Sequence, residues 1–500
     1  MLNCTLVFID LDGAEHDRRQ QTLHLATQLA ARQAIFVGPA GGGAPANSDT
    51  AHLEQVCTDR PLGGLVWNDL LERILTPTMV TIWVNTNVSI SRDEIQRLVT
   101  LAGESDRSMV YSDYVEDTPA GFVEHPTIDY QIGSIRDDFD FGPITAWSME
   151  AIRHAQARGG PLADTACAAL YDLRLRVSEI SRPLRIPETL YRSRRIDPRL
   201  TGARQFDYLD PQHKSAQQQM EQVATEHLRR IGAYLPPVFT PPATTDEKFP
   251  VEAGVIIPVR NREKTITDAV RSALEQKTSF DFNVIVVDNH STDGTTKILE
   301  ELSAGHRQLI HMVPAESDLQ IGGCWNLAVS SPSCGRIAVQ LDSDDLYAGP
   351  DTLQKIVDET NRGPYAMVVG AYRMVDFDLQ EIPPGIIDHR EWTRDNGRNN
   401  LLRVNGLGAP RAFNTAILRR YPMPNVSYGE DYAVGLRFSR EYEIGRIYQP
   451  IYLCRRWEGN SDADLPIETL NRYHSYKDSL RTDEILDRQK LNLKGGLTDK

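Results

Sequence analysis

The sequence lacks any hydrophobic run long enough to cross a membrane, and it lacks an excess of basic residues. A spanning helix needs about 20 consecutive apolar residues. The N-terminus, MLNCTLVFIDLDG, reaches Asp10 without a basic start, which excludes a signal peptide. The formal net charge of −15 argues against general binding of nucleic acid or anionic lipid. We therefore expect a cytoplasmic protein without a transmembrane segment, either free or peripheral to the inner face of the membrane.

Paired cysteines are also absent, because the six cysteines are scattered and form no C-x-x-C motif. This pattern suits buried thiols in a reducing compartment better than a disulfide framework. A hydrophobic content of 40% and a charged content of 25% are ordinary for a globular protein, and 500 residues are enough for two or three domains.

Prolines mark the clearest boundary, in the stretch from Ala233 to Pro250, AYLPPVFTPPATTDEKFP. Such a stretch cannot continue a helix or a central strand. After it, apolar strands such as Val255–Ile257 and Val284–Val287 alternate with helical patterns, which favours a mostly parallel sheet. The predicted segments are an N-terminal domain (1–232), a Pro-rich linker (233–250), a C-terminal domain (251–465) and a C-terminal helical tail (466–500).

The two halves share short matches in the same order, which predicts two related α/β domains. GGLVWNDL from Gly63 matches GGCWNLAV from Gly322, and Asn85-Thr86-Asn87 stands opposite Asp342-Ser343-Asp344. Further on, Asp164-Thr165 stands opposite Glu430-Asp431. Because asparagines are poor ligands for a hard cation, the first domain is predicted to be non-catalytic. Packing, dimer formation or acceptor binding are its expected roles.

Acidic residues follow two apolar strands of the second domain, where open α/β sheets bind ligands. The first group is Asp342-Ser343-Asp344-Asp345, whose carboxylates could reach one divalent cation or could simply form a polar turn. Asp288 ends another strand, where it could accept a hydrogen bond from a nucleobase. Arg260 in the loop PVRNRE could meet a phosphate or remain solvated. Each pattern alone is unspecific.

Together, these pieces resemble the family 2 glycosyltransferases of the GT-A fold. The matching pieces run in the family's order over most of Val255 to Ser461: strand-Pro258-x-x-Asn261, VVDNHSTDGT at 286–295, GGCWNLA at 322–328, LDSDD at 341–345 and GEDYAVGLRFS at 429–439. The resemblance implies an α/β protein with two tandem GT-A-like domains, each Rossmann-like with a mostly parallel sheet, joined by the Pro-rich linker. It also implies a catalytic second domain, a nucleotide-sugar donor, first of all a UDP-sugar, and a divalent metal, Mn2+ or Mg2+.

The same resemblance implies roles for individual residues. Asp431 would be the catalytic base, with Glu430 beside it, although a carboxylate at a helix start is also a good cap. Asp344 would be the principal metal ligand, helped by Asp342. Glu458 stands where the family often has histidine, and it could be a third metal ligand or equally a plain surface glutamate. Donor binding is implied for Pro258, Arg260, Asn261, Glu263, Asp288, Asn326 and Asp342. Trp457 would stack on an acceptor sugar. Cys324-Trp325-Asn326 stands where the family frequently has Ala-Arg-Asn.

The implied reaction is a metal-dependent, inverting transfer of a hexosyl or N-acetylhexosaminyl group in bacterial glycan or glycoconjugate synthesis. The acceptor would be a glycan, a lipid-linked molecule or a protein, and the sequence leaves a homo-oligomer open. The base would deprotonate the acceptor hydroxyl, and the metal would neutralise the diphosphate. The long polar segment 385–408 is predicted to form an acceptor-side lid or wall.

Three alternatives remain open at this point. A sugar nucleotidyltransferase would want a Gly-rich basic loop after the first strand, whereas PVRNREKT has no glycine. A phosphatase of the haloacid dehalogenase type would use Asp10 in LVFIDLDGAEH, but Ala14 replaces the usual Thr or Val, and Asp137-Asp138 is a weak second acid pair. A non-catalytic carbohydrate-binding protein would not need the acids that the second domain retains.

Overall fold

The computed structural model describes residues 1–11, 16–39, 53–84, 87–104, 106–194, 214–460 and 465–495. Asp12, Gly13, Ala14, Asn85 and Thr86, which carry parts of the interpretations above, lie outside these ranges. The chain forms two compact units, one with the described residues up to 234 together with 465–495, and the other with 235–460. None of the described helices is both long and apolar enough to cross a membrane.

The first unit is built around a sheet with the strand order β3-β2-β1-β4-β8-β6-β9-β5, and β7 pairs with β6. Its strands are β1 Leu2–Ile9, β2 Ala31–Gly38, β3 Leu53–Cys57, β4 Thr78–Trp83, β5 Val88–Ser89, β6 Met109–Thr118, β7 Gly121–His125, β8 Ile144–Ser148 and β9 Leu184–Arg194. Its helices are α1 His16–Leu29, α2 Gly64–Arg73, α3 Arg92–Ala102, α4 Met149–Gly159, α5 Ala169–Ser178 and α6 Lys214–Arg230.

The second unit repeats this order as β12-β11-β10-β13-β17-β15-β18-β14, and β16 pairs with β15. Its strands are β10 Ala253–Val259, β11 Phe282–Asp288, β12 Leu309–Met312, β13 Ile337–Gln340, β14 Leu346–Tyr347, β15 Tyr365–Val375, β16 Glu381–Ile387, β17 Arg411–Asn414 and β18 Glu443–Arg455. Its helices are α7 Ile266–Leu274, α8 Thr295–Gly305, α9 Ile321–Ser330, α10 Thr352–Arg362, α11 Gly397–Asn400, α12 Thr415–Arg420 and α13 Glu430–Glu441. The last helix, α14 Ile467–Gly495, belongs to the first unit.

The two strand orders coincide when β1–β9 are read against β10–β18, which confirms the predicted α/β fold with two tandem GT-A-like sheets. The central strands are parallel: β10 pairs in parallel with β11 and β13, as β1 does with β2 and β4. Along β1, Leu6 and Phe8 face one core cluster while Val7 and Ile9 face another. Because both faces of such a sheet are covered, its central strands are apolar throughout.

One close backbone approach recurs in both units at a glycine near the start of a helix. A Cβ on Gly64 would lie 1.8 Å from the carbonyl oxygen of Ala163, and a Cβ on Gly322 would lie 1.9 Å from that of Pro424. Since no side chain fits such a distance, glycine is required at both positions. The match between GGLVWN and GGCWN therefore reflects one shared packing contact.

The linker does not run free beside the second unit, because its first residues bind to the segment predicted as a lid. The Asn399 amide exchanges two hydrogen bonds with the backbone of Leu235, at 3.0 and 2.9 Å. Arg398 donates to the carbonyl oxygens of Pro236 and Val238, both at 2.8 Å. Both side chains are almost fully buried, so this part of segment 385–408 anchors the linker and is not an acceptor-side lid.

Helix α14 carries buried charges into the first unit. The carboxylate of Asp478 is fully buried and accepts hydrogen bonds from the Ser134 hydroxyl at 2.8 Å and from Arg481 at 2.7 Å. Arg136 Nε lies 3.3 Å from the same carboxylate. The predicted helical tail is therefore an integral part of the first unit.

We expect Asp478→Ala to lower the free energy of unfolding by about 3–5 kcal/mol, because it leaves buried arginines without their counter-charge. Urea denaturation measures this change. Asp483→Ala, at an exposed position of the same helix, is the matched control and should leave stability nearly unchanged. Equal stabilities of the two variants would contradict a structural role for this network.

Candidate active site

The turn after β13 carries the acidic cluster, and Gln340 at the end of that strand positions it. Gln340 Nε2 lies 2.9 Å from both carboxylate oxygens of Asp342. The Gln340 amide oxygen accepts a hydrogen bond from the backbone N–H of Arg411 at 3.1 Å. The Asp342 N–H donates to the Tyr452 hydroxyl at 3.0 Å. Three strands therefore hold this carboxylate at the carboxyl edge of the sheet.

Asp344 lies beside the segment that follows β18. Its Oδ2 accepts hydrogen bonds from Trp457 Nε1 at 3.3 Å and from Asn460 Nδ2 at 3.2 Å, and Arg262 Nε lies 3.6 Å away. Glu458, predicted as a third metal ligand, is exposed. It lies in a turn in which the backbone N–H of Trp457 donates to the Asn460 side chain at 2.6 Å.

The acidic cluster concentrates negative charge in a partly buried place. Asp345 is 5% exposed and accepts the Arg455 N–H at 2.8 Å. Burial, followed by the charges of Asp344 and Asp342, holds the pKa of Asp345 well above its usual range. Burial also raises the pKa of Asp342, against the opposing effect of Arg411. Additional positive charge would stabilise the ionised cluster.

Glu430 and Asp431 open helix α13 and have different surroundings. Asp431 Oδ2 forms an ion pair with Arg411 Nη1, and its Oδ1 accepts the N–H of Tyr432 at 2.7 Å. Glu430 is 9% exposed, and its Oε2 has no hydrogen-bond partner among the described residues. Burial, followed by the charge of Asp431, raises the pKa of Glu430 to about 8.

Asp288, predicted to bind the nucleobase, is fully buried at the end of β11. Its Oδ1 accepts the N–H of Ser291 at 3.0 Å, and its Oδ2 accepts the Thr296 hydroxyl at 2.6 Å. Burial acts to raise the pKa of Asp288, but the nearby His311, whose Nε2 lies 3.6 Å away, and the hydrogen bonds from Ser291 and Thr296 together hold it well below its usual range. In this arrangement the carboxylate organises the turn that leads into α8.

The loop after β10 carries the other predicted donor-binding residues. Pro258 lies within β10, and Arg260 is exposed. Asn261 adopts a positive φ of 54° and accepts the N–H of Thr292 at 2.7 Å. Glu263 accepts the N–H of Gly294 at 3.0 Å, so it stabilises the start of α8.

Asn326, also predicted to bind the donor, uses its whole amide for a structural contact. It donates to the Met423 carbonyl at 2.8 Å and accepts the Met423 N–H at 3.0 Å. In the first unit, Asn68 makes the same pair of bonds with Leu162, at 3.0 and 2.8 Å. The repeated Trp-Asn motif therefore fixes a helix to a loop in both units.

The first unit lacks the carboxylates of α13. Gly64 N–H binds the Thr165 carbonyl, as Gly322 N–H binds that of Val426. Helix α5 begins four residues after Thr165, and helix α13 begins four residues after Val426. Ala169 therefore corresponds to Glu430, and Leu170 corresponds to Asp431. The sequence alone sets Asp164-Thr165 opposite Glu430-Asp431, because Asp164 is an acid close to the start of α5. In the structure, Asp164 and Thr165 lie in the loop before this helix.

Arg411, Gln340 and Asn460 are site residues that the sequence reasoning missed. Arg411 lies 71 positions from Gln340, and Asn460 lies 116 positions from Asp344, whereas Gln340 stands only two positions before Asp342. None of the three belongs to the family motifs quoted above. The fold brings Arg411 and Asn460 to the acidic cluster.

Comparison with known proteins agrees with this geometry. Residues 254–425 match the model of glycosyl transferase family 2. An uncharacterized protein of Mycobacterium tuberculosis is 28% identical over 166 residues, which are 32% of this chain and 45% of that protein. An uncharacterized glycosyltransferase of Haemophilus influenzae is 26% identical over 224 residues, which are 42% of this chain and 67% of that protein. The chain thus spans less than half the length of its mycobacterial relatives.

Among solved structures, residues 1–349 of S. aureus TarS, in complex with UDP-GlcNAc, match with 21% sequence identity and a TM-score of 0.35. The match covers 50% of this chain and 76% of that one. The family assignment rests on the domain match and on the order of the acidic motifs within the second unit. Residues 254–425 of this chain form a domain of glycosyl transferase family 2.

Proposed function

We propose that the second unit transfers a sugar from a nucleotide-sugar donor to an acceptor hydroxyl, with inversion at the anomeric carbon and with help from a divalent cation. The observation that carries the proposal is the convergence of Asp342, Asp344 and the Arg411–Asp431 ion pair at the carboxyl edge of one sheet. The family match of residues 254–425 supports it.

Asp342 and Asp344 are the residues that would hold the cation. The described residues contain no group of three His, Cys, Asp or Glu side chains that could hold a metal by themselves. This fits Mg2+ or Mn2+ bound by two carboxylates, with water and donor phosphates completing the shell, which is the usual arrangement for Mg2+ at nucleotide sites. When bound, the cation would neutralise the diphosphate leaving group.

Asp431 is the proposed base. Its carboxylate takes the proton of the acceptor hydroxyl as that oxygen bonds to the anomeric carbon. The bond from the anomeric carbon to the diphosphate oxygen breaks in the same displacement, so the configuration inverts and the proton ends on Asp431. Glu430 remains protonated at neutral pH, since burial and the neighbouring carboxylate raise its pKa to about 8.

For the substrates, we propose that Asp288 and the loop from Pro258 to Asn261 form the nucleoside side of the site, with a UDP-sugar as the first donor to test. Trp457 is the proposed stacking partner of the acceptor sugar. Its indole is held by Asp344, and Phe377, 43% exposed, lies 5.5 Å away between ring centroids. Such an aromatic pair suits the apolar face of a hexose or N-acetylhexosamine in a glycan, lipid-linked or protein acceptor.

The first unit is proposed to be a degenerate, non-catalytic copy. Ala169 and Leu170 occupy the positions of Glu430 and Asp431, and neither side chain can act as a base. Packing, dimer formation or acceptor binding remain the proposed roles of this unit.

We expect Asp344→Asn and Asp431→Asn each to reduce nucleoside diphosphate release by about 100-fold or more, since a positioned general base or a charged ligand contributes at this scale. A coupled assay on the full chain with Mn2+ measures the release. Asp358→Asn is the control, because Asp358 is exposed on helix α10 and belongs to none of the motifs. Full activity of Asp431→Asn would mean that another residue, or the first unit, supplies the base.

The raised pKa of Glu430 also predicts a pH-dependent stability difference. Between its ordinary value of 4.5 and about 8, the folded state binds more protons than the unfolded state, so stability falls as the pH rises through this window. Glu430→Gln removes this loss. Its melting temperature relative to the wild type should therefore rise from pH 5 to pH 8.

Thermal melts at both pH values measure this difference, and Asp358→Asn serves as the control because its side chain is exposed. A difference between Glu430→Gln and the wild type that is the same at both pH values would show that the buried carboxyl titrates normally.

A further inference from the structure

We infer that Arg411 is a positioning residue that makes Asp431, and not the adjacent Glu430, the base of the transfer. The inference rests on the proposed function and extends it to a residue outside the family's motifs in this chain. Helix α13 begins with two carboxyl groups side by side, and the base must be the ionised one. The structure gives these groups unequal partners.

Arg411 is fixed from several sides before it meets a carboxylate. It opens β17, and its backbone N–H binds Gln340 Oε1 at 3.1 Å. Its Nη1 donates to the Gly408 carbonyl at 3.0 Å and also contacts Asp431 Oδ2. The Arg411 side chain is only 18% exposed, so its ion pair fixes the Asp431 carboxylate in one orientation.

The ion pair with Arg411 gives the carboxyl groups of Asp431 and Glu430 different electrostatic surroundings. Asp431, 21% exposed, has the guanidinium as its counter-ion. Glu430, 9% exposed, has an Oε2 without a hydrogen-bond partner among the described residues. Two adjacent carboxylates repel each other, and Arg411 compensates the charge of only one of them. The ion pair therefore favours negative charge on the group that Arg411 orients.

The other titratable groups that face the Arg411–Asp431 ion pair are acidic or neutral. Glu430 lies next to Asp431 on helix α13, Asp342 follows β13, and Tyr452 lies on β18. Burial would weaken the cationic form of Arg411, but Asp431, Asp342 and Glu430 together raise its pKa above its ordinary value. Arg411 thus supplies positive charge both to the acidic cluster and to the proposed base, Asp431. It stays charged throughout the working pH range.

The first unit offers an internal comparison. In β8, Ile144 pairs with Ile82, which precedes Asn85 by three residues; in β17, Ala412 pairs with Val339, which precedes Asp342 by three. The residue before each pair is Pro143 in the first unit and Arg411 in the second. The arginine is therefore missing from the same unit that lacks both carboxylates. An arginine that served only the fold would be expected in both units, whether or not the two carboxylates are present.

The test compares Arg411→Met and Arg411→Lys in the full chain by nucleoside diphosphate release under saturating donor and acceptor. Loss of orientation predicts a fall in kcat of about 100-fold for Arg411→Met, with the KM for the donor nearly unchanged. Lysine keeps a cation in place and should recover most of kcat. The acidic limb of the kcat–pH profile, which reports the carboxyl pair as a unit, should move to higher pH in the methionine variant.

Arg437→Met is the matched control, because Arg437 forms a 3.0 Å pair with Glu441 on the same helix. Melting temperatures establish that each variant is folded at the assay temperature. A wild-type kcat and pH profile in Arg411→Met would overturn the inference, as would equal losses in the methionine and lysine variants with an unshifted profile. If the wild type releases no diphosphate from any donor, the proposed function fails instead.

Discussion

The clustering of carboxyl groups at one sheet edge is the constraint on which the site of the second unit depends. Asp342, Asp344, Asp345, Glu430 and Asp431 come from two distant parts of the chain, and several are largely buried. Close carboxylates in a low-dielectric place repel each other and favour protonation. Two arginines compensate part of this charge, since Arg411 pairs with Asp431 and Arg262 Nε lies 3.6 Å from Asp344.

This constraint also explains why the two units differ while sharing a fold. The glycine contacts at Gly64 and Gly322 and the amide clamps of Asn68 and Asn326 serve packing, and both units keep them. The carboxylates of the second unit repel one another where they are buried, which costs free energy. The first unit has Pro143, Ala169 and Leu170 at the positions of Arg411, Glu430 and Asp431.

Much of the fold could be predicted from the sequence, because it is written in local patterns. Apolar strands, the proline boundary and the ordered repeat indicate two tandem α/β domains. Asp344 and Asp431 were found because each lies in a short motif at a strand end or helix start. Arg411 was not, since Gln340, to which its backbone binds, lies 71 positions away and only the antiparallel pairing of β13 with β17 joins the two. Gln340 was not, because a polar residue at a strand end carries no signal of its own. The contacts of Asn326 with Met423 and of Glu263 with Gly294, and the exposure of Glu458, could not be predicted, because a motif does not show whether its side chains meet a loop backbone or solvent.

The most direct test of the central claim is nucleoside diphosphate release by the wild-type chain from a panel of nucleotide sugars, with and without Mn2+. The account predicts release from at least one donor, strictly dependent on the cation and stimulated by a hydroxyl acceptor. Absence of release from every donor in the presence of Mn2+ and acceptors, or equal release after chelation of the metal, would contradict it.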